Sequence, residues 1–266
     1  MLAVDQSERM GPALMAKTES GPGTSPEQHA EARRQTPRGD SRPIRVAWDI
    51  RLSSRNLTGT GVYAARMLEH LAAHEDVEVQ KLGDWGFLDR QRRLPLRVAR
   101  TLLDIAWPQA GLPLAVRRLE ADVVHAPAFV GPVWGPCPLV VTVHDTLYRR
   151  FPEQYPRWWT AYMNFIVPRV VRRAAALIAV SNHSKQDFVQ VYGVVPERVH
   201  VVPHGVDHER FHPDAARGTE AVLARYGVSG EYVLHVGALV RRKRIPVLLE
   251  AVAGLKARGR WGERQV

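Results

Sequence analysis

A single cysteine, Cys137, stands in the 266 residues of this chain, so neither an intrachain disulfide nor a zinc site built on thiolates can form within it. That usage fits a reducing compartment, and a cytoplasmic location is expected. Long apolar runs are missing as well. The longest clean ones, Leu139 to Val143 and Ala174 to Val180, fall far short of the roughly 20 residues that a membrane-spanning helix needs. Around Asp5 and Glu8 there is no apolar h-region of a secretory signal. Acidic residues are in deficit: 27 Asp and Glu face 37 Lys and Arg, a formal charge of +10. Such a balance favours polyanionic partners, whether phosphorylated small molecules, anionic lipid headgroups or nucleic acid. Nucleic acid is set aside, because no aromatic residues interleave with the basic patches as on an RNA-binding sheet. Nor does any G-x-S-x-G occur, and the Ser181 and His183 pair lacks a nucleophile elbow, which leaves hydrolase chemistry unsupported.

What is present is ordinary for a soluble globular protein, with 45% hydrophobic and 24% charged residues. Residues 1–42 are rich in Gly, Pro, Ser, Glu and Gln and show no hydrophobic period, which predicts a disordered tail. Beyond it, β-branched runs alternate with helical patterning. Strands are predicted at Ile44 to Ile50, Val77 to Leu82, Val123 to His125, Leu139 to Val143, Ala175 to Val180, Val199 to Val202 and from Tyr232. Between the first two, Val62, Ala65, Leu68 and Leu71 or Ala72 share one face at helical spacing. A basic segment, Asp89 to Arg100, leads into helical patterning broken by Pro108 and Pro113. Pro156 to Arg173 reads as a helix with a stripe of Trp158, Tyr162, Phe165 or Ile166 and Arg169, kinked at Pro168. Ser181 or Ser184 can cap the helix that ends near Gly193, and Thr219 to Tyr226 is another helix. Strands alternating with helices predict an α/β protein with a doubly wound, parallel, Rossmann-like sheet.

Four features carry candidate chemistry. Gly59, Thr60, Gly61 and the following Val62, Tyr63 and Ala64 spell G-x-G-x-x-A, but Asp49 to Thr58 separate them from the strand, unlike a dinucleotide fingerprint. They read either as a flexible loop offering bare N–H groups to a phosphate or sugar at a helix N-terminus, or as a plain glycine turn. His144 and Asp145 follow a buried strand at the edge where such sheets bind ligands. There His144 can donate to a substrate hydroxyl or stabilise developing charge, with Asp145 orienting it or capping the next segment; the alternative is a histidine that satisfies a loop carbonyl. Tyr232 to Lys243, YVLHVGALVRRK, places Gly237 at the end of an apolar strand and then three cations, Arg241, Arg242 and Lys243, before a helical run from Ile245, an order that suits an anion. Finally, Arg90, Arg92, Arg93, Arg97 and Arg100, and the Trp158 stripe with Arg157, Arg169, Arg172 and Arg173, suit either an anionic membrane surface or a solvated basic face. His200, His204, His208 and His212 recur every fourth residue, but Pro203, Gly205 and Pro213 keep them off a helix, so no metal site is expected.

The segments IRVAWDIRL, TGTGVYA, VVTVHDTLYRRFPEQYP, ALIAVSNHSKQDF, RVHVVPHGVDHERFHP and YVLHVGALVRRKRIPVLLEAV, in that order, resemble the retaining glycosyltransferases of family 4, and in style their mannosyltransferase-like members. The resemblance spans about residues 44 to 255 and implies a GT-B fold of two facing Rossmann-like domains. On it, residues 43–213 are the acceptor-side domain and residues 214–266 a linker and the first strand and helix of a donor-binding domain, with the rest of that domain and its paired glutamates absent by truncation or frameshift. It implies transfer of a hexose, such as mannose, from a nucleotide-diphospho-sugar to a glycan or lipid-linked acceptor, at the cytoplasmic side and without a metal. Gly59, Thr60 and Gly61 then lie by the donor phosphates or the acceptor, His144 beside the transferred sugar with Asp145 next to it, and Arg242, Lys243 and Gly237 at the donor diphosphate. Two further readings remain: a remnant domain that binds an acceptor or a membrane surface without turnover, and a nicotinamide-dependent oxidoreductase resting only on G-x-G-x-x-A.

Overall fold

A computed structural model describes residues 42–51, 59–83, 94–216, 218–262 and 264–265. The predicted tail up to residue 41, Arg90, Arg92 and Arg93, and the side chains of Arg97 and Arg100 lie outside what is described. The chain divides into two compact units between Val202 and Pro203.

The first unit runs β1 (Ile44–Asp49), α1 (Gly59–Ala72), β2 (Val77–Leu82), α2 (Leu94–Ala106), α3 (Gly111–Leu119), β3 (Val123–Ala126), β4 (Leu139–Val143), α4 (Leu147–Arg150), α5 (Arg157–Arg173), β5 (Ala176–Ala179), α6 (Asn182–Tyr192) and β6 (Val199–Val201). The six strands form one sheet in the order β2-β1-β3-β4-β5-β6, with every ladder parallel. From β1 the chain steps outward to β2, then returns past β1 to β3 and continues the other way. This reversal opens a crevice at the carboxyl ends of β1 and β3, the usual place for a ligand in an open α/β sheet. Side-chain alternation sorts the strands into two faces. Ala47, Val124, Leu139, Val141, Val143 and Leu177 pack with Leu112 and Val116 of α3, Val167 and Val170 of α5 and Phe188 of α6. On the opposite face Val46 and Trp48 pack against Ala64, Met67, Leu68 and Leu71 of α1. Helices on both faces make the sheet doubly wound, as predicted.

The helices show which side of each meets the sheet. In α1 the buried residues are Gly61 and Ala64, whereas Val62 is 55% exposed. Small residues let the helix approach β1 closely, and of the predicted face Leu68 and Leu71 pack against Val46 and Trp48 while Val62 turns to solvent. In α5 the buried stripe is Thr160, Met163, Ile166, Val167, Val170 and Val171, while Trp158 and Phe165 point outward. Pro168 lies within this helix, which continues to Arg173. The break after α2 includes Pro108, but Pro113 stands in the first turn of α3, where a missing N–H removes no intrahelical bond.

The second unit contains a 3₁₀ turn (Pro213–Ala216), α7 (Glu220–Arg225), a second 3₁₀ turn (Arg241–Lys243) and α8 (Ile245–Ala257). Here the predicted strand from Tyr232 is not formed. Tyr232 makes one isolated parallel bridge to Gln265, with Val233 N–H donating to the Gln265 carbonyl at 2.9 Å. Val236 and Leu239 are more than four-fifths exposed. A parallel strand is held by ladders on neighbouring strands, and among the described residues of this unit none runs beside it.

Candidate active site at the carboxyl edge of the sheet

Gly59, Thr60 and Gly61 are themselves the first turn of α1, not a loop that precedes it. That turn holds no acidic residue, so the positive end of the helix dipole and its leading N–H groups meet no carboxylate from their own turn. A Cβ at Gly59 would enter open space, so packing in the described structure does not demand glycine there. Just before the undescribed residues 52–58, Arg51 is clamped to the buried carboxylate of Asp49. Its Nε donates at 2.8 and 2.9 Å to the two Asp49 oxygens and its Nη2 at 2.6 Å, while Nη1 donates to the Asp104 carbonyl at 2.8 Å. The pair fixes the end of β1 beside Gly83, whose φ of +83° and close contacts with Trp107 and Asp49 leave no room for a Cβ.

His144 follows β4 directly. Its Nε2 lies 3.0 Å from the Pro127 carbonyl, at the end of β3. A carbonyl only accepts, so Nε2 carries the proton and a neutral ring has its lone pair on Nδ1. In this tautomer His144 can accept from a sugar hydroxyl through Nδ1; donating from Nδ1 takes the imidazolium. The loop carbonyl offered by the alternative reading of the sequence is thus present, and it sets which ring nitrogen carries the proton. The turn around His144 is pinned from several sides. Ser184 of α6 donates its hydroxyl to the His144 carbonyl at 3.0 Å, and Thr146 donates to Asp187 at 3.3 Å. Asp145 Oδ1 accepts from the Leu147 N–H at 3.0 Å and the residue is exposed, so Asp145 caps the following turn, and it is the Pro127 carbonyl that orients the imidazole. Ser181 N-caps α6 by accepting from the Ser184 N–H at 3.0 Å.

Three residues near His144 escape a reading of the sequence. Tyr63, one of the unspecified positions of G-x-G-x-x-A, places its ring edge-on to His144 with centroids 5.0 Å apart. Its hydroxyl lies 3.1 Å from Thr142 Oγ1, and that oxygen lies 2.9 Å from His125 Nε2. Burial holds His125 neutral, its pKa pushed down to about 4. A histidine and a threonine at same-face positions of apolar strands are the one signal that was available; the link to Tyr63 spans 79 residues and has none. In the second unit, Arg241, Arg242 and Lys243 form an exposed 3₁₀ turn that leads through Arg244, in the left-handed region at φ +51°, into α8. Gly237 stands before that turn with φ +159°. The clustering of cations at a helix start is therefore present, without the strand predicted to deliver it.

The sequence profile described as Glycosyltransferase Family 4 matches residues 57–210. An MMP alpha-(1->4)-mannosyltransferase of Mycolicibacterium hassiacum is 34% identical over 167 residues, covering 55% of this chain and 40% of its own. An alpha-maltose-1-phosphate synthase of Mycobacterium tuberculosis is 36% identical over 205 residues, covering 73% of this chain and 53% of its own. The chain thus spans about half the length of the curated relatives it matches. Among solved structures, Anabaena HepE in complex with UDP aligns at 20% identity over 79% of this chain and 57% of its own, with a TM-score of 0.48.

Proposed function

Because the chain belongs to glycosyltransferase family 4, we propose that it serves the transfer of a hexose from a nucleotide-diphospho-sugar to a glycan or lipid-linked acceptor, with retention at the anomeric carbon. One observation carries this reading: His144 stands at the carboxyl edge of a parallel sheet, its proton fixed on Nε2 by the Pro127 carbonyl. In the first unit, His144 lies beside the transferred sugar and accepts from one of its hydroxyls, while the first turn of α1, from Gly59 to Gly61, offers N–H groups to a phosphate or to the acceptor. In the second unit, Arg242 and Lys243, with Gly237 leaving the backbone accessible, receive the diphosphate. Two cations held there offset the charge that builds on the departing diphosphate, so the anomeric bond breaks without a divalent metal and without a protein nucleophile. The mannose-transferring relative supports mannose as the hexose. Calorimetric titration with UDP- and GDP-hexoses, followed by hydrolysis and transfer assays on this chain and on a fusion carrying a full donor domain, tests the reading. Binding of one nucleotide sugar with turnover by the fusion is expected; no turnover by either protein rejects it.

A second reading, contact with an anionic membrane surface that brings a lipid-linked acceptor within reach, is favoured by the outer face of α5. Trp158 and Phe165 are 59% and 57% exposed two helical turns apart, and the Arg169 guanidinium lies 3.6 Å over the Phe165 ring. Arg157 and Arg172 are also exposed on this helix, whereas Arg173 turns inward to the Cys137 carbonyl. Aromatic side chains with arginines beside them suit the headgroup layer. Vesicles rich in phosphatidylglycerol are expected to retain the chain at low salt and release it at high salt, and Phe165→Ala should weaken retention about tenfold, the loss of one buried ring. Retention that ignores both salt and the substitution would remove this reading.

A further inference from the structure

His125 and Thr142 are an expensive choice for the layer under α1. Trp48 of β1 and His125 of β3 are register partners with ring centroids 4.5 Å apart, and Thr142 lies on β4 on the same face. Thr142 is fully buried and His125 is 6% exposed. Apolar side chains at both positions would fill this layer without any desolvation cost, as Val46 and Val123 do on the same face. The polar pair is satisfied only as part of a chain: Thr142 Oγ1 lies between His125 Nε2 at 2.9 Å and the Tyr63 hydroxyl at 3.1 Å. That chain ends at the ring packed against His144. Tyr63 meets the imidazole edge-on at 5.0 Å and an interplanar angle of 84°, and Phe129 meets it at 6.2 Å and 75°. Among the contacts described for His144 are these two aromatic rings and the Pro127 carbonyl at Nε2, and Tyr63 is the wall whose far end is tied down.

We propose that Tyr63 is a positioning residue for His144, and that the buried Thr142 and His125 exist to hold its hydroxyl and so keep the imidazole in one orientation and one tautomer. The proposal rests on His144 being the residue beside the transferred sugar for its purpose, but not for its geometry. Tyr63 stands two residues after Gly61 in α1, so the helix whose first turn offers N–H groups at the sheet edge also sets the histidine. Anchoring a side chain through its tip limits its swing, and a reacting group held in one geometry is what proximity effects depend on. If Tyr63 only filled space, phenylalanine would serve equally well, since it keeps the ring and its edge-on contact.

The discriminating experiment is long-range ¹H–¹⁵N NMR of the histidine rings in this 266-residue chain, with the His144 signals assigned through the His144→Gln variant. In the unsubstituted chain the two His144 nitrogens are expected at the well-separated shifts of a single Nε2–H tautomer. Tyr63→Phe and Thr142→Val should each raise the minor tautomer about fivefold, the effect of one lost neutral hydrogen bond, whereas Thr142→Ser, which keeps the hydroxyl, should restore the original spectrum. His144 signals in Tyr63→Phe that coincide with those of the unsubstituted chain overturn the proposal, and this variant decides the matter even where Thr142→Val fails to fold. The readout needs no turnover, so an inactive chain would count against the transferase reading while leaving this result intact.

Discussion

Acidification from pH 7 to about 4 is expected to cost the fold about 3 kcal/mol through His125 alone. Its imidazole is buried beside Trp48 and Thr142, and burial pushes its pKa from 6.5 down to about 4. In the unfolded chain the same ring takes up a proton near its ordinary 6.5. Between these two values the unfolded state binds the extra proton and the native state does not, so stability is fully present above about 6.5 and is lost as pH falls toward 4, with a slope of about 1.4 kcal/mol per pH unit. Below about 4 both states are protonated and this contribution levels off. Asp122 acts in a different window. Its carboxylate is held well below the usual range by two 2.7 Å hydrogen bonds from Arg42 and one from the Arg45 N–H, so its contribution declines only as pH falls below its ordinary 3.8. Urea titrations at half-unit steps from pH 7.5 to 4 measure the His125 slope, and His125→Asn, which cannot take up the proton, should flatten it. Parallel decline of both proteins across that window would show that His125 does not carry the effect.

The same residue shows what could be read from the sequence and what could not. The alternation of strands and helices, with β-branched runs at Ile44, Val77, Val123, Leu139, Ala176 and Val199, is local, and the parallel sheet follows from it. Which face of each helix packs is less local. Val62 shares its helical spacing with Leu68 and Leu71, yet α1 buries Gly61 and Ala64 and leaves Val62 exposed, while α5 packs through Met163, Ile166 and Val170 and keeps Trp158 on the surface. In both helices the partner surface, not the residue's own apolarity, decides. Tyr232 fails for a related reason: strand-like composition becomes a strand only where a neighbour accepts its hydrogen bonds, and among the described residues the bridge is to Gln265 alone. His144 was legible because it directly follows an apolar run at the end of a strand. Tyr63, Thr142 and His125 were not, because their relation exists only once β1, β3 and β4 are side by side and α1 lies across them.

The histidine and aspartate that end VVTVHD are expected to separate sharply when replaced one at a time. In a fusion carrying a full donor domain, His144→Ala should lower transfer by about 10²–10³-fold, the size of effect that follows removal of one preorganised hydrogen-bonding group at the reacting centre. The loss should appear in kcat, with nucleotide-sugar affinity within about twofold, because the diphosphate is assigned to Arg242 and Lys243 and an interaction made mainly in the transition state leaves ground-state binding nearly untouched. Asp145→Asn should cost less than about tenfold, since asparagine accepts from the Leu147 N–H as well as aspartate does. Arg242→Ala together with Lys243→Ala should do the reverse of His144→Ala at the binding step, raising the donor dissociation constant by at least about tenfold, as the loss of charge-assisted bonds to a diphosphate requires. Donor titrations and initial rates on the four proteins measure both quantities. A His144→Ala enzyme within about tenfold of the parent would remove His144 from the reacting centre, because a group that only satisfies the Pro127 carbonyl has no route to a larger effect on kcat than on folding.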